Sequence, residues 1–153
     1  MKNPLKWTAE TPNLYTLVLE HSDSKGKLIE ATSTKIGFRT VELKNSQLLV
    51  NGKPILLKGV NLHEHHQYNG HYVDKATMLK DIEVMKQHNV NAVRTSHYPQ
   101  SPLWYKLCDE YGLYLIDEAN IESHGMGYDP SRSLGYKSEW DAAHIDRIVR
   151  LLE

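Results

Sequence analysis

Asp117, Glu118, Glu122 and His124 crowd into one short stretch directly after the apolar run Leu113-Tyr114-Leu115-Ile116. Carboxylates and imidazoles move protons near neutral pH, and they also hold cations. An apolar run of that length reads as a buried strand. In α/β proteins the end of a strand is where ligands and catalytic groups collect. Glu122 and His124 are two residues apart, so in extended chain they point the same way. One carboxylate oxygen and one ring nitrogen could then meet a single ion. By itself the stretch reads equally well as an acidic, helix-capping loop with a lone histidine.

Two earlier stretches have the same form. A strand expected over 55–61 runs into His63-Glu64-His65-His66, and Asn91-Ala92-Val93-Arg94-Thr95 runs into Ser96-His97-Tyr98-Pro99. If the three strands are parallel, His63, His97 and His124 share one face with Glu64, Arg94, Asp117, Glu118 and Glu122. That convergence is the argument for a site. His63-Glu64-His65-His66 lacks the spacing of a helical zinc motif. The Glu122 and His124 pair suits a hard cation such as magnesium, with water completing the shell. Histidines can donate hydrogen bonds to sugar hydroxyls, and Trp104 or Tyr98 could offer a sugar-facing surface, although aromatics of amphipathic elements are usually core. Cys108, inside a helical pattern, reads as a small buried hydrophobe rather than a nucleophile.

The elements that must position these groups fall into two halves. Residues 1–54 read as β. Strands are expected over 14–19, 28–34 and 36–43, with a turn at Ser24-Lys25-Gly26-Lys27. Asn51-Gly52, between Leu48-Leu49-Val50 and Pro54-Ile55-Leu56-Leu57, is a strong hairpin signal. No helical period interrupts this half, which reads as part of a β-sandwich. After residue 55, strands alternate with helices. Asp74 caps a helix with apolar Met78, Leu79, Ile82 and Met85. Ser101-Pro102 opens a second helix that stops at Gly112. Ser138 is expected to cap a third. Three strand–helix units imply parallel strands with helical crossovers.

Composition sets the outer bounds. The chain has 153 residues, 24% of them charged, and a net charge of −1. It is long enough for a real core. Neither sign of charge dominates, which argues against a nucleic-acid or membrane-surface partner. No apolar run approaches the roughly 20 residues that span a bilayer. The N-terminus has no apolar signal-peptide segment, so localisation stays open between cytoplasm and periplasm. A single cysteine excludes an internal disulfide.

The sequence resembles the β-galactosidases of glycoside hydrolase family 2. The resemblance rests on Glu10-Thr11-Pro12-Asn13-Leu14-Tyr15, Ile36-Gly37-Phe38-Arg39, Asn51-Gly52-Lys53-Pro54, Gly59-Val60-Asn61 through His66, Asn91 through Pro99, and Asp109 through Gly125. The related β-glucuronidases look similar through Ser96-His97-Tyr98-Pro99 but carry a different loop after Asp117-Glu118. The resemblance implies the end of an immunoglobulin-like sandwich over 1–46. Over 47–153 it implies an incomplete (β/α)8 TIM barrel, its first three βα units. It implies that His63 and His97 contact a galactosyl group and that Arg94 lies near the nucleophile. Glu122 and His124 become ligands of Mg2+. The partner is a β-galactoside such as lactose, and the complete enzyme can be homo-oligomeric.

A retaining glycosidase needs two carboxyl groups about 5 Å apart. In the family both catalytic glutamates come later than the motifs matched here, so both are expected beyond Glu153. Asp117 and Glu118 stand in a different motif and are expected to orient the loop and the metal shell. The chain alone is therefore expected to be inactive. Two other readings compete: a non-hydrolytic carbohydrate-binding or interaction module, and a metal-dependent hydrolase on a smaller α/β domain.

Overall fold

The structure, a computed structural model, describes residues 1–152. Its first third is antiparallel. β1 (Tyr15–Ser22) pairs with β2 (Leu28–Ile36) through the expected turn, where Gly26 adopts φ +80°. The Asp23 carboxylate closes that turn by accepting from the N–H groups of Lys25 and Lys27, both at 2.9 Å. A second sheet holds β3 (Val41–Lys44), β4 (Gln47–Val50) and β5 (Lys53–Pro54). Asn51 and Gly52 turn β4 into β5 with φ +52° and +77°, the double positive φ that the Asn-Gly pair favours.

Two strand expectations need correcting. The strand expected over 36–43 is broken after Ile36 and resumes at Val41. The backbone between is used elsewhere: Phe38 O accepts from Trp7 N at 2.9 Å, and Thr40 N donates to the Asn51 side chain at 3.0 Å. The strand expected over 55–61 starts only at Gly59. Before it, Asn91 Nδ2 donates to Leu56 O and Asn91 Oδ1 accepts from Lys58 N, so one side chain replaces a strand ladder. The β3–β4 hairpin was not foreseen. Its turn residues Asn45 and Ser46 carry φ +51° and +58° without a glycine.

The second half alternates β6 (Gly59–Leu62), α1 (Lys75–Gln87), β7 (Ala92–Thr95), α2 (Pro102–Tyr111), β8 (Tyr114–Ile116) and α3 (Asp141–Leu152). The three strands are parallel in the order β6-β7-β8. α1 is capped by Asp74, which accepts from Thr77 N at 2.9 Å. α2 begins on Ser101 with Pro102 and ends at Gly112 in the left-handed region. α3 differs from expectation: a 3-10 turn over Ser138–Trp140 precedes it, so Ser138 opens that turn and the helix starts at Asp141.

One core lies between the sheet and the first two helices. Met78, Ile82 and Met85 of α1 meet Trp104, Leu107 and Cys108 of α2 over Val93 and Leu113. Each such side chain contributes about 1.5–3 kcal/mol when fully buried. Burial also pushes the Cys108 thiol up to about 12, which leaves it protonated and inert. The N-terminal segment is fastened beneath this layer. Trp7 is buried, donates from Nε1 to Asp109 O at 2.8 Å, and packs edge-on to Tyr114. Lys86 Nζ spans Ala9 O at 3.1 Å and Gly112 O at 3.0 Å. These contacts hold the end where β8 starts, leaving the opposite end for a site.

Candidate functional site

Strand register explains which side chains meet. Asn61 of β6, Arg94 of β7 and Ile116 of β8 are opposite one another. Glu118 lies two residues past Ile116, so it returns to the same face. Arg94 Nε and the Glu118 Oε1 atom form an ion pair. The other Glu118 oxygen, Oε2, is 2.8 Å from His97 Nδ1. Arg94 also reaches Asn61 Oδ1 at 3.4 Å and approaches His97 Nδ1 at 3.3 Å. The His63 ring stands edge-on to the His97 ring with centroids 5.3 Å apart. His63, Arg94 and His97 are thus gathered at the C-terminal ends of β6 and β7.

The alternate register positions brace this group from behind. Thr95 Oγ1 donates to Asp117 Oδ1 at 2.6 Å, and Tyr105 OH donates to the same oxygen at 3.1 Å. The backbone N–H of Glu118 donates to it as well, at 3.1 Å. Burial, helped by the Asp117 charge, pushes the Tyr105 phenol up to about 12, so it remains a donor. Glu64 turns away from the cleft. Its carboxylate accepts from Ser101 N at 3.0 Å at the start of α2, and its N–H donates to Tyr98 OH at 3.0 Å. Trp104 is fully in the core.

Glu118 holds the centre of the cluster electrically. Desolvation pushes its carboxyl upward. The hydrogen bonds and charges of His97 and Arg94 pull it further down, and the net result lies below the ordinary value. It is therefore ionised at neutral pH.

Glu122 and His124 sit further along the same loop. Glu122 shares with Arg94, Asp117 and Glu118 the lining of a cleft of about 460 Å3. His124 does not reach the His63 and His97 group. It opens a short 3-10 turn, and its N–H donates to Glu122 Oε1 at 2.8 Å. Its Nδ1 is 3.8 Å from that oxygen. A carboxylate and an imidazole are donor types that a hydrated magnesium ion accepts. At 3.8 Å they stand wider than the roughly 2.9 Å between neighbouring donors of an octahedral ion, so the two side chains would have to close on it. Among the described residues no group of three His, Cys, Asp or Glu side chains could hold a metal alone.

Sequence reading placed Glu118 on the right face but gave it no partner. The signal was available in the parity of Arg94 and Glu118 on neighbouring strands, once the register is known. Asn61 was seen only as a strand residue.

Parallel βα units with carboxylates, histidines and an arginine at their C-terminal ends are the arrangement found in (β/α)8 barrels, whose ligand sites lie on that face. Residues 41–153 match the TIM barrel domain of the glycosyl hydrolases of family 2, and residues 1–39 match the preceding family 2 domain. The chain belongs to glycosyl hydrolase family 2. Over all 153 residues it is 52% identical to a beta-galactosidase of Alteromonas mediterranea, and over 150 residues 52% identical to one of Pectobacterium atrosepticum. In each case it spans 14% of the relative's length. Among solved structures it is similar to a Bifidobacterium dentium beta-glucuronidase complexed with coumarin-3-O-glucuronide. The match has a TM-score of 0.72 at 36% identity, covering 74% of this chain and 18% of that one. A Dictyoglomus thermophilum beta-D-glucuronidase gives 0.74 at 34%, covering 80% and 21%.

Proposed function

We propose that this chain supplies part of the galactose and magnesium sites of a retaining β-galactosidase acting on terminal β-D-galactosides. The observation that carries the reading is the Arg94, Glu118 and His97 cluster beside His63 at the strand ends, in a chain half identical to proteins of that name. His63 and His97 contact the sugar, and Arg94 orients charge beside the nucleophile. Glu122 and His124 hold Mg2+, which supplies positive charge near the reacting sugar. The acid/base and nucleophile glutamates lie outside these 153 residues, so the chain alone turns over no galactoside. We place the junction between sandwich and barrel between residues 46 and 47, where the β3–β4 turn meets β4.

Identity supports a galactoside over a glucuronide: the chain is 52% identical over its whole length to a beta-galactosidase, against 36% and 34% to two beta-glucuronidases of known structure. The test is a Glu122→Gln change in the full-length protein carrying this chain. Magnesium should then stimulate chromogenic galactoside hydrolysis less and at higher concentration, because an amide is a poorer ligand for a hard cation. An unchanged magnesium dependence would remove Glu122 from the metal site.

A further inference from the structure

Glu118 is placed to decide which nitrogen of His97 carries the proton. An ionised carboxylate accepts hydrogen bonds and donates none. Its Oε2 lies 2.8 Å from His97 Nδ1, where two bare acceptors would repel, so that nitrogen donates to it. Arg94 Nη2, itself only a donor, stands farther off at 3.3 Å and makes no hydrogen bond to a protonated Nδ1. A neutral imidazole carries one proton only. With Nδ1 protonated, Nε2 is a bare lone pair. The polar contacts of the His97 ring among the described residues, with Glu118 and Arg94, both fall on Nδ1, and its side chain remains about one-third exposed. Nε2 is therefore the ring atom left for a ligand.

We infer that Glu118 is a positioning residue that locks neutral His97 in its Nδ1–H tautomer, so that Nε2 accepts a hydrogen bond from a sugar hydroxyl instead of donating one. This reverses the polarity expected from sequence, where the histidines were read as donors. It also sets a chemical preference. A hydroxyl can give a proton to Nε2, whereas an ether oxygen, a fluorine or a carboxylate at the same place cannot. Arg94 reinforces the arrangement: its Nε binds the other carboxylate oxygen and keeps Oε2 turned to the imidazole. Backbone support through Asp117, from Glu118 N to Asp117 Oδ1 at 3.1 Å, fixes where the carboxylate starts. Such support is how ring orientation and tautomer are commonly set in polar sites. The inference rests on the sugar-binding reading only for what meets Nε2.

The experiment is 15N NMR of the full-length protein carrying this chain, labelled at histidine, with His97 assigned from the signals lost in His97→Gln. Long-range couplings should place His97 Nδ1 among protonated ring nitrogens and Nε2 among bare ones near pH 7.5. In Glu118→Ala both signals should move to intermediate positions, because the free ring exchanges between tautomers. Asp74→Ala, which removes a helix cap far from the ring, should leave them unmoved. Finding Nε2 protonated, whether Nδ1 is bare or also protonated, or a mixed tautomer already in the parent, would overturn the inference. So would an unchanged tautomer in a folded Glu118→Ala. Titrating methyl β-D-galactoside separates the two ideas. A ligand-dependent move of Nε2 toward the protonated region supports the acceptor role. A locked tautomer with no response to sugar overturns the sugar-contact reading and supports the locking by Glu118.

Discussion

Replacing His97 by alanine in the full-length protein removes one ring with two separable jobs. One is its 2.8 Å bond to Glu118, and the other is the proposed contact with sugar through Nε2. Glu118 keeps its pairing with Arg94, so the carboxylate is not left uncompensated. The structural cost is then one charge-assisted hydrogen bond at a partly exposed site, at or below about 1.5 kcal/mol. The binding cost is larger. A desolvated sugar hydroxyl left without its partner loses about 1–3 kcal/mol, and each 1.4 kcal/mol is tenfold. The expected fall in kcat/KM on a chromogenic β-galactoside is therefore roughly ten- to a hundredfold. The contact should tighten as the sugar ring flattens toward its oxocarbenium-like transition state. A planar transition-state analogue should consequently lose more affinity than a ground-state inhibitor. Equal losses for the two inhibitors would mean that His97 binds sugar without favouring the transition state. Unchanged affinities with a lowered Tm would make the histidine structural and refute the reasoning.

Gly112→Ala should destabilise more than Gly26→Ala. Both positions have positive φ, a strain of about 1–3 kcal/mol for other residues, but only at Gly112 would the new Cβ also run into the Ala9 carbonyl. Thermal unfolding checks this, and equal drops in Tm would mean that the N-terminal segment is not fastened at Gly112. The lowered carboxyl of Glu118 has a signed consequence. Its stabilisation is complete above the unfolded value of 4.5 and is lost as pH falls through the lower folded value. The stability gap between the parent and Glu118→Gln should therefore be widest near neutral pH and close on the acid side, and a gap that widens with acid would contradict the pairing. The 153-residue chain by itself should show no turnover of a chromogenic β-galactoside. Activity that copurifies with the chain and disappears in Glu122→Gln would contradict the proposed absence of both catalytic carboxyl groups.

Much of the barrel half was legible because its signals are local. Asp74, Ser101-Pro102 and Gly112 mark helix ends through bonds or torsions made within a few residues. The Asn51-Gly52 turn is local in the same sense. What sequence missed depends on distant partners. The break after Ile36 exists because Trp7 and Asn51 claim the backbone there, and the late start of β6 because Asn91 does. The face at the strand ends was legible from three histidine-bearing loops, but the partner of each side chain was not. Glu118 needs the Arg94 to Ile116 register before its parity means anything. The tautomer of His97 needs a distance, which no spacing in the sequence contains.

The most direct test of the account is a side-by-side rate measurement on the full-length protein carrying this chain. The substrates are p-nitrophenyl β-D-galactoside and p-nitrophenyl β-D-glucuronide, each assayed with magnesium and after its removal by chelation. The account predicts hydrolysis of the galactoside, loss of rate on chelation, recovery when magnesium is restored, and little action on the glucuronide. Preferential hydrolysis of the glucuronide, or a galactoside rate indifferent to magnesium, would contradict it.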